Sequence, residues 1–271
     1  MTSTIEAPQV EAEMLDVAGA QVAVRRRGSG RPLLYLHGAG FTGRWLRFHE
    51  ALAAGADVIA PEHPGFGASP DQEAIEGFDD LVFHYDDLRA ALGIDEPFDL
   101  VGYSLGGWIA ADYALTYPEK LRSLTLIVPA GLEPPIVDMF AMEPEQVFAT
   151  LFNDFANAGE VLVDPTDIDV AVHMYEEAST VAKLAWNPRY DRKLARRLRR
   201  VTCPALVLGA DHDKLLGDEC CERYAELIAA AEVVRVPGTG HALPIEQPEA
   251  AARAILDFQG AVEQSPTGVT P

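Results

Sequence analysis

A serine flanked by glycines lies in the segment Gly102-Tyr103-Ser104-Leu105-Gly106-Gly107. The largely apolar residues 98–101 before it predict a short buried strand, and residues 108–115 after it predict a helix packed on a sheet. A serine at such a sharp strand-to-helix turn forms a nucleophile elbow, in which glycines prevent clashes with the neighbouring backbone. The hydroxyl is then raised at the positive end of a helix. We therefore predict that Ser104 is a nucleophile.

A serine hydroxyl needs a base to accept its proton, and that base needs a third group to orient it. His241 lies in the glycine-containing segment 237–244, directly after the apolar alternation at 233–236 that predicts a last strand. A histidine on a loop is often only a solvated side chain. Its place between glycines at a strand end favours the catalytic interpretation, so we predict that His241 is the base.

The orienting acid is expected between the serine and the histidine, because the triad on such an elbow follows that chain order. Asp211 and Asp213 both follow the predicted buried strand 203–208. They lie two residues apart, so both cannot meet one imidazole. Counting along the strand from Pro204 favours Asp213 as the partner of His241. Asp211 then caps the loop through ordinary turn chemistry or faces solvent.

Acyl chemistry also needs two backbone N–H groups that stabilise an oxyanion. We predict that Leu105, directly after the nucleophile, supplies one of them. The other is expected from the loop His37-Gly38-Ala39-Gly40, with Ala39 as the first choice and Gly40 as the second. Gly38 and Gly40 allow backbone and ligand to approach closely. His37 is interpreted as a structural hydrogen-bonding residue.

Strand and helix signals alternate along most of the chain. The predicted strands are 13–18, 21–26, 32–36, 57–60, 98–102, 123–128, 204–209 and 232–236. The predicted helices are 43–54, 78–92, 105–117, 218–230 and 246–259. This alternation predicts an α/β fold with a mostly parallel sheet covered on both faces, and the first two strands form an antiparallel hairpin at one edge.

The alternation stops after the predicted strand 123–128. Pro129, Pro134 and Pro135 follow it, and a helical pattern then continues to about Arg200. A helical insert at this place sits above the carboxyl ends of the strands, where open α/β sheets bind ligands. We predict a lid at 130–200. The core is then formed by 1–129 and 201–262, with a disordered tail at 263–271.

Large apolar side chains in the lid suggest an apolar, acyl or ring-bearing substrate. We expect Met139, Phe140 and Trp186 of the lid, together with Trp45 of the core, to line the pocket. Four further apolar residues are spaced as one helix face and are interpreted as packing onto the core: Phe148, Leu151, Phe152 and Phe155.

Seven of the 21 basic residues fall between Arg189 and Arg200. We interpret them as one solvated helix whose cations offset the acidic body. The alternative is a site that prefers substrates carrying a carboxylate.

Several of these motifs occur in register over most of the chain, and together they resemble those of the α/β-hydrolase superfamily. The segment Pro61-Glu62-His63-Pro64-Gly65-Phe66-Gly67-Ala68-Ser69 is similar to a turn of the epoxide hydrolase, dehalogenase and carbon–carbon-bond hydrolase branches, with Glu62 where aspartate is usual. Ala210 stands where the family more often has glycine. The resemblance implies the α/β-hydrolase fold, with an all-helical cap inserted before the strand that carries the catalytic acid.

Two departures narrow the chemistry that the resemblance implies. Dehalogenases and epoxide hydrolases use an aspartate as nucleophile, and Ser104 argues against both. Carbon–carbon-bond hydrolases usually have tryptophan after the histidine, where this chain has Ala242. A cofactor-free esterase or lactonase is therefore the best fit. The alternatives are a carbon–carbon-bond hydrolase or lyase, an acyltransferase, and a ligand-binding receptor with little turnover.

Composition excludes other classes. The 42 acidic against 21 basic residues give a net charge of −21, which disfavours nucleic acid and anionic membranes as partners. The cysteines, Cys203, Cys220 and Cys221, predict reduced thiols and a cytoplasmic protein. Residues 1–9 lack a secretory pattern, and no metal-ligand spacing is present, so we expect neither export nor a metal. The oligomeric state stays open.

Overall fold

A mostly parallel sheet of eight strands forms the centre of the computed structural model, which describes residues 7–133, 135–164 and 167–264. In chain order its strands are β1 (Glu13–Val17), β2 (Ala20–Gly28), β3 (Pro32–Leu36), β4 (Asp57–Pro61), β5 (Phe98–Tyr103), β6 (Leu121–Ile127), β7 (Ala205–Ala210) and β8 (Ala231–Val236). The spatial order is β1-β2-β4-β3-β5-β6-β7-β8. The pairs β1–β2 and β2–β4 are antiparallel and all other pairs are parallel. The predicted strands and the edge hairpin are confirmed, with ends shifted by one or two residues.

Helices cover the sheet, which explains why β5 and β7 are buried along their whole length. The helices are α1 (Arg47–Ala53), α2 (Phe78–Ala91), α3 (Leu105–Thr116), α4 (Pro144–Leu151), α5 (Ile168–Ala185), α6 (Leu194–Arg197), α7 (Cys220–Leu227), α8 (Leu243–Glu246) and α9 (Pro248–Gln264). α1 packs against α9, whereas α2 packs against α3. The predicted helix at 246–259 is instead the end of α8 followed by the longer α9, because Pro248 starts a new helix.

The chain between β6 and β7 carries α4, α5 and α6, and no strand occurs in the part of it that the structure describes. This insert is fastened to the core at several points. Thr180 Oγ1 of α5 donates to the Gly65 carbonyl at 3.1 Å, and Lys183 Nζ lies 3.0 Å from Asp71 Oδ1. Arg44 donates to the Glu160 carbonyl at 2.9 Å. The insert therefore has defined contacts with the loops at the carboxyl ends of β3 and β4.

Two local predictions in the insert are wrong. The basic residues between Arg189 and Arg200 do not form one helix, because α6 spans only Leu194–Arg197 and a 3₁₀ turn follows at Leu198–Arg200. Leu194 and Leu198 are buried in the core, whereas most of the basic side chains between Arg189 and Arg200 are exposed.

Two of the four apolar residues expected on one helix face lie outside that helix, because α4 ends at Leu151, Phe152 follows it and Phe155 starts a 3₁₀ helix. They still pack together, with the rings of Phe148 and Phe152 5.2 Å apart. Phe152 is fully buried against Leu46 and Ile245. Core packing is therefore observed for Phe152, whereas Phe155 is 50% exposed and lacks the buried position expected for it.

Some predictions fall on residues that the structure leaves undescribed. Residues 1–6, Pro134 and 265–271, the last being most of the predicted tail, lie outside the described ranges. Residues 263 and 264 of that tail belong to α9, where Glu263 pairs with Arg31 at 2.7 Å. Across the described ranges, no helix has the length and apolar character needed to cross a membrane.

Candidate active site

Ser104 alone forms the turn between β5, which ends at Tyr103, and α3, which begins at Leu105. Its backbone has φ 51° and ψ −111°, a region that non-glycine residues rarely adopt. The turn is tight because a Cβ at Gly102 would lie 2.7 Å from the Ala110 Cβ, and a Cβ at Gly106 would lie 2.5 Å from the His37 carbonyl oxygen. The glycines of the motif are therefore required by close backbone approach.

Three side chains converge at this turn. The Ser104 Oγ lies 2.8 Å from His241 Nε2, and His241 Nδ1 lies 2.8 Å from Asp213 Oδ2. His241 and Asp213 are buried, whereas Ser104 is half-buried. The three residues come from the ends of β5, β7 and β8, which places them at one edge of the sheet. The structure thus brings together the nucleophile, base and acid that the sequence suggests.

The structure places Asp213, rather than Asp211, against the histidine. Asp213 Oδ1 accepts the N–H groups of Leu215 at 2.8 Å and Leu216 at 2.9 Å, leaving Oδ2 for His241. Burial alone would raise the pKa of Asp213, but the charge and hydrogen bond of His241 and the two backbone N–H groups lower it overall. Its carboxylate is therefore ionised at neutral pH and holds the imidazole.

Asp211 has a different set of partners. Its two carboxylate oxygens accept the backbone N–H groups of Gly238 and Thr239, both at 3.1 Å. Asp211 thus joins the loop after β7 to the loop that leads to His241. This is the loop-capping arrangement expected for the aspartate that does not meet the imidazole.

The loop 37–40 runs beside the elbow. The Gly106 N–H donates to the His37 carbonyl at 3.0 Å, and a Cβ at Gly38 would lie 3.1 Å from the Ser104 Cβ. Leu105 is the first residue of α3, so its N–H belongs to the first turn, where a helix has no acceptor of its own. Ala39 is half-buried in the same loop. Both predicted donors therefore lie on segments adjacent to the nucleophile.

A pair of histidines, His37 and His63, whose ring centroids lie 3.7 Å apart, supports this loop. His37 Nδ1 lies 2.7 Å from the Gly38 carbonyl, and its Nε2 accepts the His63 N–H at 2.9 Å. His63 Nε2 donates to the His37 carbonyl at 2.7 Å, and its Nδ1 is hydrogen-bonded to the Tyr85 hydroxyl. His37 has the structural role expected from the sequence. The role of His63, which lies in the segment 61–69, is not predicted from the sequence.

A small cavity lies beside the elbow. Its walls include Gly38 and Gly40, which were expected to contact a ligand, and Tyr103, whose hydroxyl donates to the His241 carbonyl at 3.0 Å. Phe41, Leu46 and Ile245 give it an apolar wall that the sequence did not indicate. Phe41 directly follows Gly40 and adopts φ 60°. Because bulky residues rarely adopt a positive φ, the sequence does not predict this backbone conformation.

The large side chains expected in the pocket lie elsewhere. Trp45 is buried in the main core, where its indole N–H donates to Glu50 at 3.0 Å and its ring packs on His49. The rings of Phe140 and Trp186 are 4.8 Å apart, and the Arg189 guanidinium lies 5.9 Å from Phe140.

Trp186 is 59% exposed, so this pair is a contact within the insert. Met139 is half-buried in the 3₁₀ turn Met139–Ala141. The contacts described for these residues do not join them to Ser104 or His241.

Buried neutral histidines make the stability of this fold depend on pH. Burial lowers the pKa of His37 to about 4, of His49 to about 3 and of His84 to about 4, and it also lowers the pKa of His63 well below its ordinary value. Unfolding returns each to its ordinary value near 6.5, so the unfolded chain binds more protons in the window between these values. The contribution of these histidines to the free energy of unfolding is therefore complete above pH 6.5, and it is lost as the pH falls from 6.5 toward 4. At pH 5 the expected loss is about 2 kcal/mol per histidine.

Urea unfolding at pH 7.5, 6.5, 5.5 and 5.0 measures this effect. Asp112 acts in the opposite direction, because burial raises its pKa to about 6, and it offsets part of the loss. His84→Leu should reduce the slope of unfolding free energy against pH. The matched change His173→Leu, at an exposed position of α5, should leave it unchanged. Equal slopes in the two variants would contradict the interpretation.

Known proteins share both this fold and its sequence pattern. A model of the alpha/beta hydrolase family matches residues 33–254. The 2-hydroxy-6-oxo-6-(2'-aminophenyl)hexa-2,4-dienoic acid hydrolase of Metapseudomonas resinovorans is 28% identical over 270 residues, covering 90% of this chain and 89% of that protein. The monoacylglycerol lipase ABHD6 of Homo sapiens is 23% identical over 268 residues, covering 89% and 78%. The crystal structure of a membrane phospholipase A is 26% identical with a TM-score of 0.74, covering 94% and 87%.

Proposed function

Because the chain belongs to the alpha/beta hydrolase family and is a hydrolase, we propose that it cleaves carboxylic esters or lactones through an acyl-enzyme on Ser104. The observation that carries this proposal is the continuous hydrogen-bonded chain from the Ser104 hydroxyl through His241 to Asp213, with 2.8 Å at each step. A serine, a base and an orienting carboxylate in this geometry are the parts that acyl transfer to a hydroxyl requires.

In the proposed reaction, the Ser104 oxygen attacks the carbonyl carbon while its proton moves to His241 Nε2. Asp213 stabilises the imidazolium that forms. The tetrahedral intermediate then collapses, the bond to the alcohol oxygen breaks, and the proton on His241 passes to that leaving oxygen. A water molecule, deprotonated by the same imidazole, attacks the acyl-enzyme, releases the acid and restores Ser104.

We assign the oxyanion hole to the backbone N–H groups of Leu105 and Ala39. The first lies at the N-terminal end of α3, where the helix dipole also favours the developing negative charge. The second lies on the loop that the Gly106 N–H and the His37–His63 pair hold beside the elbow. This support keeps the loop in place before substrate arrives, so the reaction need not order it.

The substrate class is a small lipophilic ester. The cavity beside the elbow has apolar walls from Phe41, Leu46 and Ile245, as ligand pockets commonly have. The relatives that are named as lipases support an acyl substrate. We assign the insert at 130–200 as the lid, because its Phe148 and Phe152 rings lie 5.9 and 6.1 Å from the ring of Phe41 in that wall.

Cleavage of a carbon–carbon bond in a vinylogous diketone is the second candidate, because one relative is named as a dienoic acid hydrolase. Ala242 favours the ester. It stands where tryptophan is usual in carbon–carbon-bond hydrolases, it is fully buried, and its N–H donates to the Leu151 carbonyl at 2.7 Å. Ala242 belongs to one buried cluster with Phe152, Ala158 and Val161 of the insert, so the insert occupies space that a larger side chain would need.

A substrate panel tests the proposal. We expect measurable kcat/KM for nitrophenyl butyrate, a monoacylglycerol and a small lactone, and no cleavage of a 2-hydroxy-6-oxo-dienoate. Cleavage of the dienoate without ester turnover would overturn the ester assignment. Rapid labelling of Ser104 by a fluorophosphonate distinguishes an enzyme from a binding protein, and product analysis with added alcohol distinguishes hydrolysis from acyl transfer.

A further inference from the structure

Glu246 joins the loop of the candidate base to the insert. It ends α8, five residues after His241, and it is 5% exposed. One carboxylate oxygen, Oε1, accepts the N–H groups of Asn153 at 3.0 Å and Asp154 at 2.8 Å. The other, Oε2, accepts the Gly240 N–H at 2.6 Å. Its described hydrogen bonds thus come from three backbone amides on two separate segments.

The insert segment 151–154 lies close against the loop 238–242. The Asn153 side chain donates to the Gly238 carbonyl at 3.1 Å, and the Ala242 N–H donates to the Leu151 carbonyl at 2.7 Å. A Cβ at Gly240 would lie 2.7 Å from the Asn153 nitrogen and 2.9 Å from the Leu151 carbonyl oxygen. The two segments therefore touch with no room for a further atom between them.

These contacts hold the backbone of His241 on both sides. The preceding N–H, of Gly240, is bound by Glu246, and the following N–H, of Ala242, is bound by Leu151. The carbonyl of His241 itself accepts the Tyr103 hydroxyl. An imidazole on a backbone fixed in this way has little freedom to move away from Ser104.

We propose that Glu246 is a positioning residue for the reaction. It sets the position of His241 through the Gly240 N–H and couples that position to the docking of the insert through the N–H groups of Asn153 and Asp154. A buried carboxylate is stable only where its oxygens are hydrogen-bonded, so the two halves of the site are held by one group. The inference rests on the proposed function, because a fixed imidazole matters only if His241 takes the Ser104 proton.

Glu246→Gln tests this role with little change in shape. The amide has one oxygen in place of two, so its NH₂ group must face either the Gly240 N–H or the two N–H groups of the insert. A donor then meets a donor, and one side of the contact opens. We expect kcat for nitrophenyl butyrate to fall about 10- to 100-fold, as for a displaced catalytic group, with KM within about twofold.

Titration with a fluorophosphonate separates positioning from a merely structural role. Positioning predicts that the fraction of chains labelled at Ser104 stays at the wild-type value while the first-order labelling rate at saturating probe falls by the same factor as kcat. A structural role predicts fewer labelled chains that react at the wild-type rate, and that result would overturn the inference.

Two further variants complete the experiment. Glu249→Gln is the matched control, because Glu249 is exposed at the start of α9 and pairs with Arg47 at 2.5 Å, and it should keep the wild-type rate and amplitude. Gly240→Ala keeps every hydrogen-bonding group but pushes the insert away from the loop, and it should reproduce the slower labelling of Glu246→Gln.

The variants also separate failure of this inference from failure of the proposed function. Wild-type rates in both Glu246→Gln and Gly240→Ala would overturn the inference alone. If Glu246→Gln does not fold, the Gly240→Ala rate decides it. A wild-type protein that hydrolyses no ester and whose Ser104 is not labelled would overturn the proposed function, and the inference with it.

Discussion

Replacing Ser104 with alanine is expected to lower kcat for nitrophenyl butyrate by about 10⁶-fold, as loss of the nucleophile does in serine hydrolases. The substitution removes the oxygen on which we propose the acyl-enzyme forms, and it leaves His241 and Asp213 in place. It adds no atom, so the backbone at φ 51° carries no new contact. The residual rate then comes from oxyanion binding and substrate orientation alone.

Turnover, fluorophosphonate labelling and thermal unfolding of this variant should be measured together. We expect loss of turnover and labelling with a Tm close to that of the wild type. Ser179→Ala is a suitable control, because the Ser179 hydroxyl is exposed on α5 and bonds within its own helix, to the Tyr175 carbonyl. Ester hydrolysis at the wild-type rate in Ser104→Ala would mean that another group is the nucleophile.

Replacing Asp213 with asparagine is expected to lower kcat by about 10⁴-fold. The single amide oxygen has to accept the N–H groups of Leu215 and Leu216, which the Asp213 Oδ1 accepts in the native chain. The amide NH₂ then faces His241 Nδ1 and donates to it. This forces the proton onto Nε2, where it faces the Ser104 oxygen, so the imidazole can no longer act as the base.

Asp211→Asn is the matched control for this prediction. Asp211 accepts one N–H on each oxygen, so the variant loses one hydrogen bond and about 1 kcal/mol of stability, but it keeps the contact between His241 and Asp213. We expect its kcat to stay within a few-fold of the wild type. The opposite ranking, with Asp211→Asn as the inactive variant, would contradict the assignment of the acid.

The parts of the site that could be predicted depend on short-range patterns. The elbow around Ser104 is determined by the glycines at 102 and 106, whose lack of a side chain is visible in the sequence and required by neighbouring backbone atoms. The strands that precede Ser104, Asp213 and His241 contain runs of apolar residues that are long enough for the strands to be predicted from the sequence. Their parallel arrangement then brings the three strand ends to one edge.

Other parts depend on packing between distant segments, which periodicity does not report. Trp45 was expected in the pocket, but it fills the core beside His49 because its indole finds a carboxylate partner in Glu50. Phe41 lines the cavity instead. The contacts of Glu246 join residues more than 90 positions apart, and a glutamate in a predicted helix gives no sign of them.

The insert leaves the sheet at the end of β6 and returns at β7, and these two strands pair directly with each other. Its ends are therefore neighbours, so its length and internal packing can vary without altering any strand register. Under the proposed lid role, changes of sequence in α4 and α5 would alter substrate selection while the strand ends that precede Ser104, Asp213 and His241 stay in place. If the insert is the lid that we propose, this connectivity separates substrate selection from the catalytic chemistry, and the insert is the segment to exchange in order to change the substrate.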